Sequence, residues 1–216
     1  MKTITFTDPH RKKHFDFFRA MDQPHFNLVA NVDITGFLKV VKQEKLPFTP
    51  YMVYALSKVA NDISVFRWRI RGEQVVEHES VQPSFTVPTE ASDVFSFCTV
   101  AYHPDRDTFV ERAKATIERM KEDPNFEDEE GRDDYLFMSA IPWVSFTGLT
   151  HAMHYSPVDS VPRISWGKYF EQNGRILMPL SVQAHHAVVD GSDMGRYFQK
   201  AEELLVTDKL LFGQEK

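Results

Sequence analysis

Two adjacent histidines at the end of an apolar segment have the clearest chemical potential in this sequence. Residues 179–184 are mainly apolar, and they are followed by His185, His186 and, four residues later, Asp190-Gly191. An imidazole at the end of a strand is held by the backbone and can border a cavity. Histidine suits proton abstraction near neutral pH because its ordinary pKa is about 6.5. One of the two is therefore a candidate general base, since successive strand side chains point to opposite faces.

Other roles are open to the same pair. Adjacent histidines can also be structural and satisfy local backbone groups. A metal-dependent hydrolase is a second alternative, because His151 and His154 together with His185 and His186 could supply imidazole ligands. The spacing lacks the His-Glu-x-x-His pattern that places such ligands on one helix face, so we expect no metal site.

A thiol enzyme is the third alternative, and it depends on Cys98, the single cysteine. The surrounding residues 95–100 have the pattern of an apolar strand, where a cysteine is usually inert packing. A lone cysteine cannot form an intramolecular disulfide, which is typical of a reducing compartment.

The composition is that of one globular domain, residues 1–216, with small-molecule chemistry. The 216 residues are 42% hydrophobic and 13% aromatic, enough for a sizeable core. A balance of 25 basic against 31 acidic residues, formal net charge -6, argues against nucleic-acid binding. The N-terminus lacks the apolar region of a signal peptide, and no apolar run reaches the roughly 18 residues of a membrane span. We expect a soluble, cytoplasmic protein without a membrane partner.

Helical and strand patterns alternate irregularly along the chain. Helical periodicity covers residues 10–21, 106–121 and 191–205. Thr49-Pro50 is predicted to cap the start of a further helix. Strand patterns cover 26–32, 75–76, 84–87, 94–102, 136–150 and 163–186, the last folded by an Asn-Gly turn at 172–174. The acidic stretch 122–134 reads as a surface loop. The absence of a regular βαβ period predicts an α/β (α+β) two-layer sandwich, a mixed sheet covered by helices.

The spacing H-H-x-x-x-D-G from His185 to Gly191 resembles the signature of the chloramphenicol acetyltransferase family. That family belongs to the superfamily of CoA-dependent acyltransferases, which includes dihydrolipoyl acyltransferase cores and peptide-synthetase condensation domains. The likeness extends to the segments 138–146 (Met-Ser-Ala-Ile-Pro-Trp-Val-Ser-Phe) and Gly167-Lys168-Tyr169, and it covers residues 8 to 206 in order and spacing.

The resemblance implies an acetyl-CoA-dependent O-acetyltransferase. His186 would take the proton of an acceptor hydroxyl, which then attacks the thioester, and its other ring nitrogen would be held by its own backbone carbonyl. Ser139 would donate to the oxyanion that forms. Asp190 would form a structural ion pair with Arg11. The acceptor would be chloramphenicol or a related small hydroxyl compound.

The resemblance also implies contacts with the co-substrate and an oligomeric state. Trp143 and Tyr169 match residues that contact the pantetheine and adenine parts of CoA. Ser165 matches a hydroxyl residue, usually threonine, that holds an active-site water. Members of the family are homotrimers whose active sites lie between subunits, so we expect a homotrimer.

The acceptor pocket departs most from the family pattern. The residues that match pocket positions are Phe18, Phe26, Thr86, Phe95, Leu149, His151 and Arg163. Phe18 stands where a tyrosine is usual, Leu149 replaces an aromatic, and Phe97 occupies a small position. Asp22, His151 and Arg163 replace apolar residues, and a charge in an apolar pocket is costly unless it is paired.

Two hypotheses follow for the acceptor. Either the native acceptor is more polar than chloramphenicol, or Arg163 and Asp22 neutralise each other or turn toward solvent, and the drug pocket stays usable. A non-catalytic ligand-binding relative is a further alternative. A retired site has no physical need to keep four such residues together, which favours the enzyme; they are His186, Asp190, Arg11 and Ser139.

Overall fold

The chain forms strands and helices in mixed order in the computed structural model, which describes residues 1–127, 129–154, 156–207 and 209–213. The helices are α1 (Pro9–Arg19), α2 (Thr35–Gln43), α3 (Phe48–Asn61), α4 (Arg106–Glu122), α5 (Gly191–Val206) and α6 (Lys209–Phe212). The strands are β1 (Lys2–Ile4), β2 (His25–Asp33), β3 (Trp68–Arg71), β4 (Gln74–Glu77), β5 (Gln82–Val87), β6 (Ser96–Thr99), β7 (Tyr135–Ile141), β8 (Arg163–Gly167), β9 (Phe170–Gln172) and β10 (Arg175–His185).

The main sheet has the strand order β2-β10-β8-β7-β5-β6, and β9 pairs with the start of β10. Strand β10 is antiparallel to both of its long neighbours, β2 and β8. Strand β7 is parallel to β5 and to β8, and β6 is antiparallel to β5. The sheet is therefore mixed, and the predicted mixed α/β class is confirmed.

The two faces of this sheet differ in polarity. Phe85, Met138, Ile164 and Val182 are register neighbours on β5, β7, β8 and β10, and all four are buried in one hydrophobic core. Helices α2, α3, α4 and α5 pack against strands of the sheet and contribute to the same core. Because strand side chains alternate, the residue after each of these in β5, β7 and β8, and the residue before Val182 in the antiparallel β10, point the other way. Those residues are Thr86, Ser139, Ser165 and Ser181, a row of four hydroxyls.

A small antiparallel sheet, β1-β4-β3, was not predicted from the sequence. The fully buried Arg69 side chain joins it to the main sheet by donating to the carbonyl oxygens of Asp133 and Tyr135, at the start of β7. The same guanidinium donates to the carbonyls of Phe66 and Trp68, so the buried charge is surrounded by acceptors.

Some predicted boundaries are wrong. Helix α3 begins at Phe48 after Pro47, and no side chain caps it, so Thr49 is not its N-cap. Strand β7 ends at Ile141 instead of continuing to residue 150, because Pro142 has no N–H to donate to a ladder. Helix α2 follows the first long strand directly and was also not predicted.

The predicted hairpin before the histidines is confirmed. Asn173 and Gly174 both have positive φ angles, 53° and 74°, between the paired strands β9 and β10. Positive φ at both central residues is the requirement of a type I′ turn, which Asn-Gly meets best. Separately, none of the described helices combines the length and the apolar character needed to cross a membrane.

Gly36 provides a test of how α2 packs against the end of α5. A Cβ at position 36 would lie 2.5 Å from the carbonyl oxygen of Val206 and 2.6 Å from the carbonyl carbon of Thr207, both backbone atoms. We expect Gly36→Ala to lower the free energy of unfolding by about 2 kcal/mol, the typical cost of overpacking. The matched change is Gly195→Ala, inside α5, where no atom lies within 4 Å of the added Cβ. Because alanine has the higher helix propensity, we expect this variant to gain about 1 kcal/mol in the free energy of unfolding. Equal melting temperatures for the two variants in thermal denaturation would contradict this packing.

Candidate active site

The backbone after β10 places His186 at the end of the sheet. Its N–H donates to the carbonyl oxygen of Pro24 at 2.8 Å, which ties it to the residue before β2. The N–H groups of Val188 and Val189 donate to the carbonyl oxygen of His185 at 3.1 and 3.0 Å. The chain therefore turns sharply at the pair of histidines, and the position of the candidate base is set by backbone hydrogen bonds.

The imidazole of His186 is oriented through one ring nitrogen. Its Nδ1 lies 3.2 Å from the carbonyl oxygen of Val189. A carbonyl only accepts, so Nδ1 carries the proton and Nε2 keeps a lone pair. The expectation that its own backbone carbonyl holds the ring is wrong, because the turn brings the carbonyl of Val189 to that position.

Aromatic rings enclose the His186 imidazole. The Phe18 ring is stacked on it at 3.9 Å between centroids and 19° between planes. The Phe26 ring lies 4.4 Å away in a tilted arrangement, and His14 presents an edge contact at 5.5 Å. Phe18 and Phe26, both predicted pocket residues, thus form the walls beside the candidate base.

Arg11 holds the turn after His186, but not in the way predicted. Its guanidinium donates to the carbonyl oxygens of Ala187 and Val188 at 2.9 and 3.1 Å. Asp190 instead accepts from the N–H groups of Ser192 and Asp193, at 2.8 and 2.9 Å, as the N-cap of α5. Among the described residues no direct ion pair joins Arg11 to Asp190, so that prediction is wrong for this structure.

The charges around Arg11 still interact through space. Burial lowers the pKa of the Arg11 guanidinium, and the carboxylates of Asp193 and Asp190 partly oppose this change. Burial also raises the pKa of Asp193, whereas the backbone and side-chain hydrogen bonds to Asp190 outweigh burial and lower the pKa of that carboxyl. Asp190 is therefore the ionised partner of the helix N-terminus.

His185 points into the molecule. It is buried, and its Nδ1 accepts a hydrogen bond from the N–H of Ala187 at 3.2 Å. Its ring lies 5.1 Å from the ring of His25, whose two ring nitrogens are buried without a hydrogen-bond partner among the described residues. Burial lowers the pKa of both His185 and His25 to about 4. Both rings are thus held neutral.

Ser139 lies in the row of hydroxyls at the centre of the polar face. Its Oγ is 3.4 Å from Oγ1 of Thr86, and its register neighbour on β8 is Ser165. The hydroxyl of Ser165 is buried and lies 2.8 Å from Nε2 of His151. Burial, followed by the nearby Arg163 charge, lowers the pKa of His151, which favours its neutral form. Four predicted residues, Thr86, Ser139, Ser165 and His151, are therefore neighbours.

Arg163 is paired within the chain. Its guanidinium binds the carboxylate of Asp159 through two hydrogen bonds of 3.0 and 2.6 Å and also donates to the carbonyl oxygen of Val161. Asp22 lies exposed in the turn between α1 and β2. The suggested pairing of Arg163 with Asp22 is therefore wrong, and so is the picture of an uncompensated charge, whereas Asp22 does face solvent, as the other alternative had it. Asp159 was not predicted, because it lies in a stretch without helix, where a spacing of four residues from Arg163 gives no signal of contact.

Trp143 and Tyr169 follow the carboxyl ends of the parallel strands β7 and β8, at one end of these central strands. The two segments are joined by hydrogen bonds between the N–H of Lys168 and the carbonyl oxygen of Val144, and between Ser145 Oγ and the carbonyl oxygen of Lys168. Trp143 is 82% exposed, and Tyr169 is partly exposed. Flat side chains are thus available at this end of β7 and β8 for a ligand with a long chain and a ring.

Phe95 belongs to a cluster of three phenylalanine rings. Its centroid lies 5.8 Å from Phe97 and 5.2 Å from Phe126, and these two are 5.1 Å apart. Phe97 is the register neighbour of Thr86, so the cluster flanks the row of hydroxyls. Phe126 was not predicted, because it lies in a stretch that is otherwise acidic. Leu149 makes a backbone contact, in which its carbonyl oxygen accepts a hydrogen bond from the side-chain amide of Asn27.

One chain does not bring Ser139 and His186 together. Ser139 is two strands from Ser181, and His186 follows Ser181 by five residues. With about 4.8 Å between strands and about 3.3 Å per residue, the two side chains are roughly 20 Å apart. A site that used both would need residues of a second chain.

The two other enzyme classes find no support among the described residues. No group of three His, Cys, Asp or Glu side chains there is placed to hold a metal ion, and His151, His185 and His186 each bond to a different partner. Cys98 is buried, and burial raises its pKa to about 12, so its thiol stays protonated.

Comparisons with known proteins agree on one family. A family model described as Chloramphenicol acetyltransferase matches residues 1–202. A chloramphenicol acetyltransferase of Klebsiella sp is 32% identical over 203 residues, 93% of this chain and 92% of that protein. The corresponding enzyme of Clostridium perfringens is 30% identical over 214 residues, 98% of each chain.

Solved structures show the same likeness. A chloramphenicol acetyltransferase superposes with a TM-score of 0.81 and 26% identity, covering 94% of this chain and 98% of that one. A dihydrolipoamide acetyltransferase of Azotobacter vinelandii has a TM-score of 0.66 at 18% identity, covering 90% of this chain and 86% of that one. The second similarity concerns the fold.

The buried pair His25 and His185 makes stability depend on pH. Both have a pKa of about 4 in the folded chain, below the ordinary value of 6.5, so between these values the unfolded chain binds more protons. We therefore expect stability to be complete above about pH 6.5 and to fall as the pH drops towards 4. One pKa unit is about 1.4 kcal/mol, which gives His185 roughly 3 kcal/mol of this loss.

The test is thermal melting of wild type and His185→Asn across this range. The asparagine oxygen can still accept from Ala187, but it does not titrate, so the variant should lose less stability between pH 6.5 and 4. Identical pH dependence of the two proteins would show that the buried pair does not titrate as described.

Proposed function

The chain belongs to the chloramphenicol acetyltransferase family of acyltransferases, and we propose that it transfers the acetyl group of acetyl-CoA to a hydroxyl of chloramphenicol or a related small compound. The observation that carries this proposal is the orientation of His186. Its Nδ1 is committed to the carbonyl of Val189, and its Nε2 lone pair is left free between the rings of Phe18 and Phe26.

The proposed step is general-base catalysis. Nε2 of His186 takes the proton of the acceptor hydroxyl while the hydroxyl oxygen forms a bond to the thioester carbonyl carbon. The carbonyl of Val189 stabilises the imidazolium that results, since it accepts from Nδ1–H. The tetrahedral intermediate then expels the thiolate of CoA, which takes the proton back from His186. The products are the acetyl ester and free CoA.

Ser139 is the proposed donor to the oxyanion of that intermediate. A hydroxyl that donates to charge appearing only in the transition state lowers the barrier without tightening substrate binding. Thr86 lies within 3.4 Å of its oxygen and orients it, and Ser165, held by His151, is the neighbouring residue for an ordered water.

We propose a homotrimer with active sites between subunits. The separation of roughly 20 Å between Ser139 and His186, two strands and five residues apart, supports this arrangement, because one chain cannot supply both groups to one reacting carbon. Exposed apolar side chains also support it: Leu28 on the edge strand β2 and Phe95 in the ring cluster are each more than 40% exposed in the single chain.

For acetyl-CoA we propose contacts with Trp143 and Tyr169. These exposed aromatic side chains lie on two neighbouring segments that follow β7 and β8. They offer flat surfaces for pantetheine and adenine. Neither residue is required by the main core, which supports a role in binding. We assign no metal to the reaction.

The proposed acceptor pocket combines aromatic walls with a few polar groups. Its residues are Phe18, Phe26, Thr86, Phe95, Leu149, His151 and Arg163. Because Asp159 neutralises Arg163, the main reason to expect a charged acceptor is removed, which favours chloramphenicol. His151 remains as a polar group that an acceptor with an additional hydrogen-bonding group would use. The alternative of a non-catalytic ligand-binding relative predicts no turnover with any acceptor.

Three further parts of the proposal concern the domain organisation, the layers of the fold and the cellular location. We propose that residues 1–216 form a single domain and that its layers are one sheet and one set of helices, as the polar and apolar faces of the sheet suggest. A cytoplasmic location is proposed because the lone Cys98 is buried and reduced.

The decisive assay follows free thiol release from acetyl-CoA with chloramphenicol and with an analogue whose hydroxyls are blocked. We expect His186→Ala to lower kcat by about 100- to 10,000-fold, the usual contribution of a general base. Ser139→Ala should lower kcat by about 100-fold with little change in the KM for acetyl-CoA. His154→Ala, an exposed histidine, is the matched control and should keep wild-type turnover. Near-normal kcat in His186→Ala would overturn the assignment of the base.

Sharing of the site between subunits has its own test. Chains with His186→Ala and chains with Ser139→Ala are each expected to be nearly inactive alone. After unfolding and refolding together in equal amounts, about a quarter of the sites should combine an intact base from one chain with an intact serine from the next. Recovery of about a quarter of wild-type turnover is expected. If the mixture stays as inactive as its components, base and serine do not come from different subunits.

A further inference from the structure

A second histidine, His14, packs against the candidate base. It is on α1, three residues after Arg11 and four before Phe18, so all three side chains share one face of the helix. Its ring lies 5.5 Å from the ring of His186 at an angle of 70°, and 4.8 Å from the ring of Phe18. His14 is partly buried, and it makes an edge contact with the base, whereas Phe18 is stacked on it.

Arg11 determines the protonation of His14. The Nη1 of Arg11 lies 2.8 Å from Nδ1 of His14. A guanidinium has donors only, so Nδ1 must accept and the proton of the neutral ring is on Nε2. The same guanidinium donates to the carbonyls of Ala187 and Val188, the two peptide groups that follow His186. One arginine therefore holds both the backbone next to the base and the ring packed on it.

The surroundings favour the neutral form of His14. Burial lowers its pKa most, followed by the charge of Arg11 and then the neighbouring His186. Asp190 acts in the opposite direction, and His10 adds a smaller lowering effect. A neutral ring does not oppose a positive charge on His186, whereas a protonated neighbour would raise the energy of the imidazolium that the reaction forms.

We infer that His14, fixed by Arg11, is a positioning residue for His186: it holds the imidazole in its Val189-bound orientation and presents a neutral ring to the imidazolium. The role depends on two properties, the acceptor at Nδ1 that engages Arg11 and the ring that contacts His186. The part of this inference that concerns acetyl transfer rests on the proposed function. The part that concerns the tautomer of His186 does not.

Three variants separate the two properties. His14→Asn keeps an acceptor oxygen near the position of Nδ1, His14→Phe keeps a ring without the acceptor, and His14→Ala removes both. His10→Phe, on the same helix but exposed, is the matched control. We expect kcat to fall by about 10-fold or more in His14→Phe and His14→Ala with unchanged KM for acetyl-CoA, and by only a few-fold in His14→Asn.

The second readout does not need activity. Nitrogen NMR of histidine-labelled protein reports which ring nitrogen carries the proton, and wild-type His186 should be mainly protonated at Nδ1. We expect His14→Phe and His14→Ala to shift His186 towards a mixture of tautomers, while His14→Asn and His10→Phe leave it unchanged. Inactivity of the wild type with every acceptor would refute the proposed function and leave this measurement intact.

The inference is overturned if His14→Phe and His14→Ala keep both the wild-type kcat and the wild-type tautomer of His186. It is also overturned if all three His14 variants lose kcat equally in proportion to a lower melting temperature, without any change in tautomer. That pattern would make His14 a structural residue of α1.

Discussion

The candidate active site depends on the register of β10 between its two antiparallel neighbours. Hydrogen bonds to β2 and β8 on both sides fix which β10 residues face the helices and which face the row of hydroxyls. Leu180 and Val182 enter the core, whereas Ser181 and Gln183 lie on the polar face. A slip by one residue would exchange the two sets and bury polar groups in the core. By the same alternation His185 falls on the side of Ser181 and Gln183, where it is buried beside His25, and His186 lies at the turn that follows.

That turn is completed by a helix terminus and an arginine acting on different groups. The first N–H groups of α5 have no partner within the helix, and its dipole favours a negative charge there, so Asp190 is committed to α5. The carbonyls of Ala187 and Val188 then remain to be satisfied, and the guanidinium of Arg11 supplies the donors. Arginine and aspartate thus both fix the loop without forming a direct pair.

Features that depend on local pattern could be predicted from the sequence. The mixed α/β class, helix α5 and the Asn173-Gly174 turn follow from periodicity or short motifs, whereas the choice of His186 as the candidate base is implied by the family resemblance. Features that depend on which segments meet could not. Nothing local indicates that β7 runs parallel to both neighbours, that the carbonyl of Val189 holds His186, or that Ser139 lies two strands away from the end of β10.

The same distinction decides how the charge in the proposed acceptor pocket should be understood. From sequence, Arg163 was a cation in an apolar pocket; in the structure it is buried and bound twice by Asp159. Breaking a buried pair typically costs about 3 to 5 kcal/mol, because the remaining charge has no partner. A ligand that recruited Arg163 would have to offset that cost, whereas His151 and Thr86 offer hydrogen bonds without it. Under the proposed function, we therefore expect acceptor selectivity to rest on those two groups and on the phenylalanine rings around them.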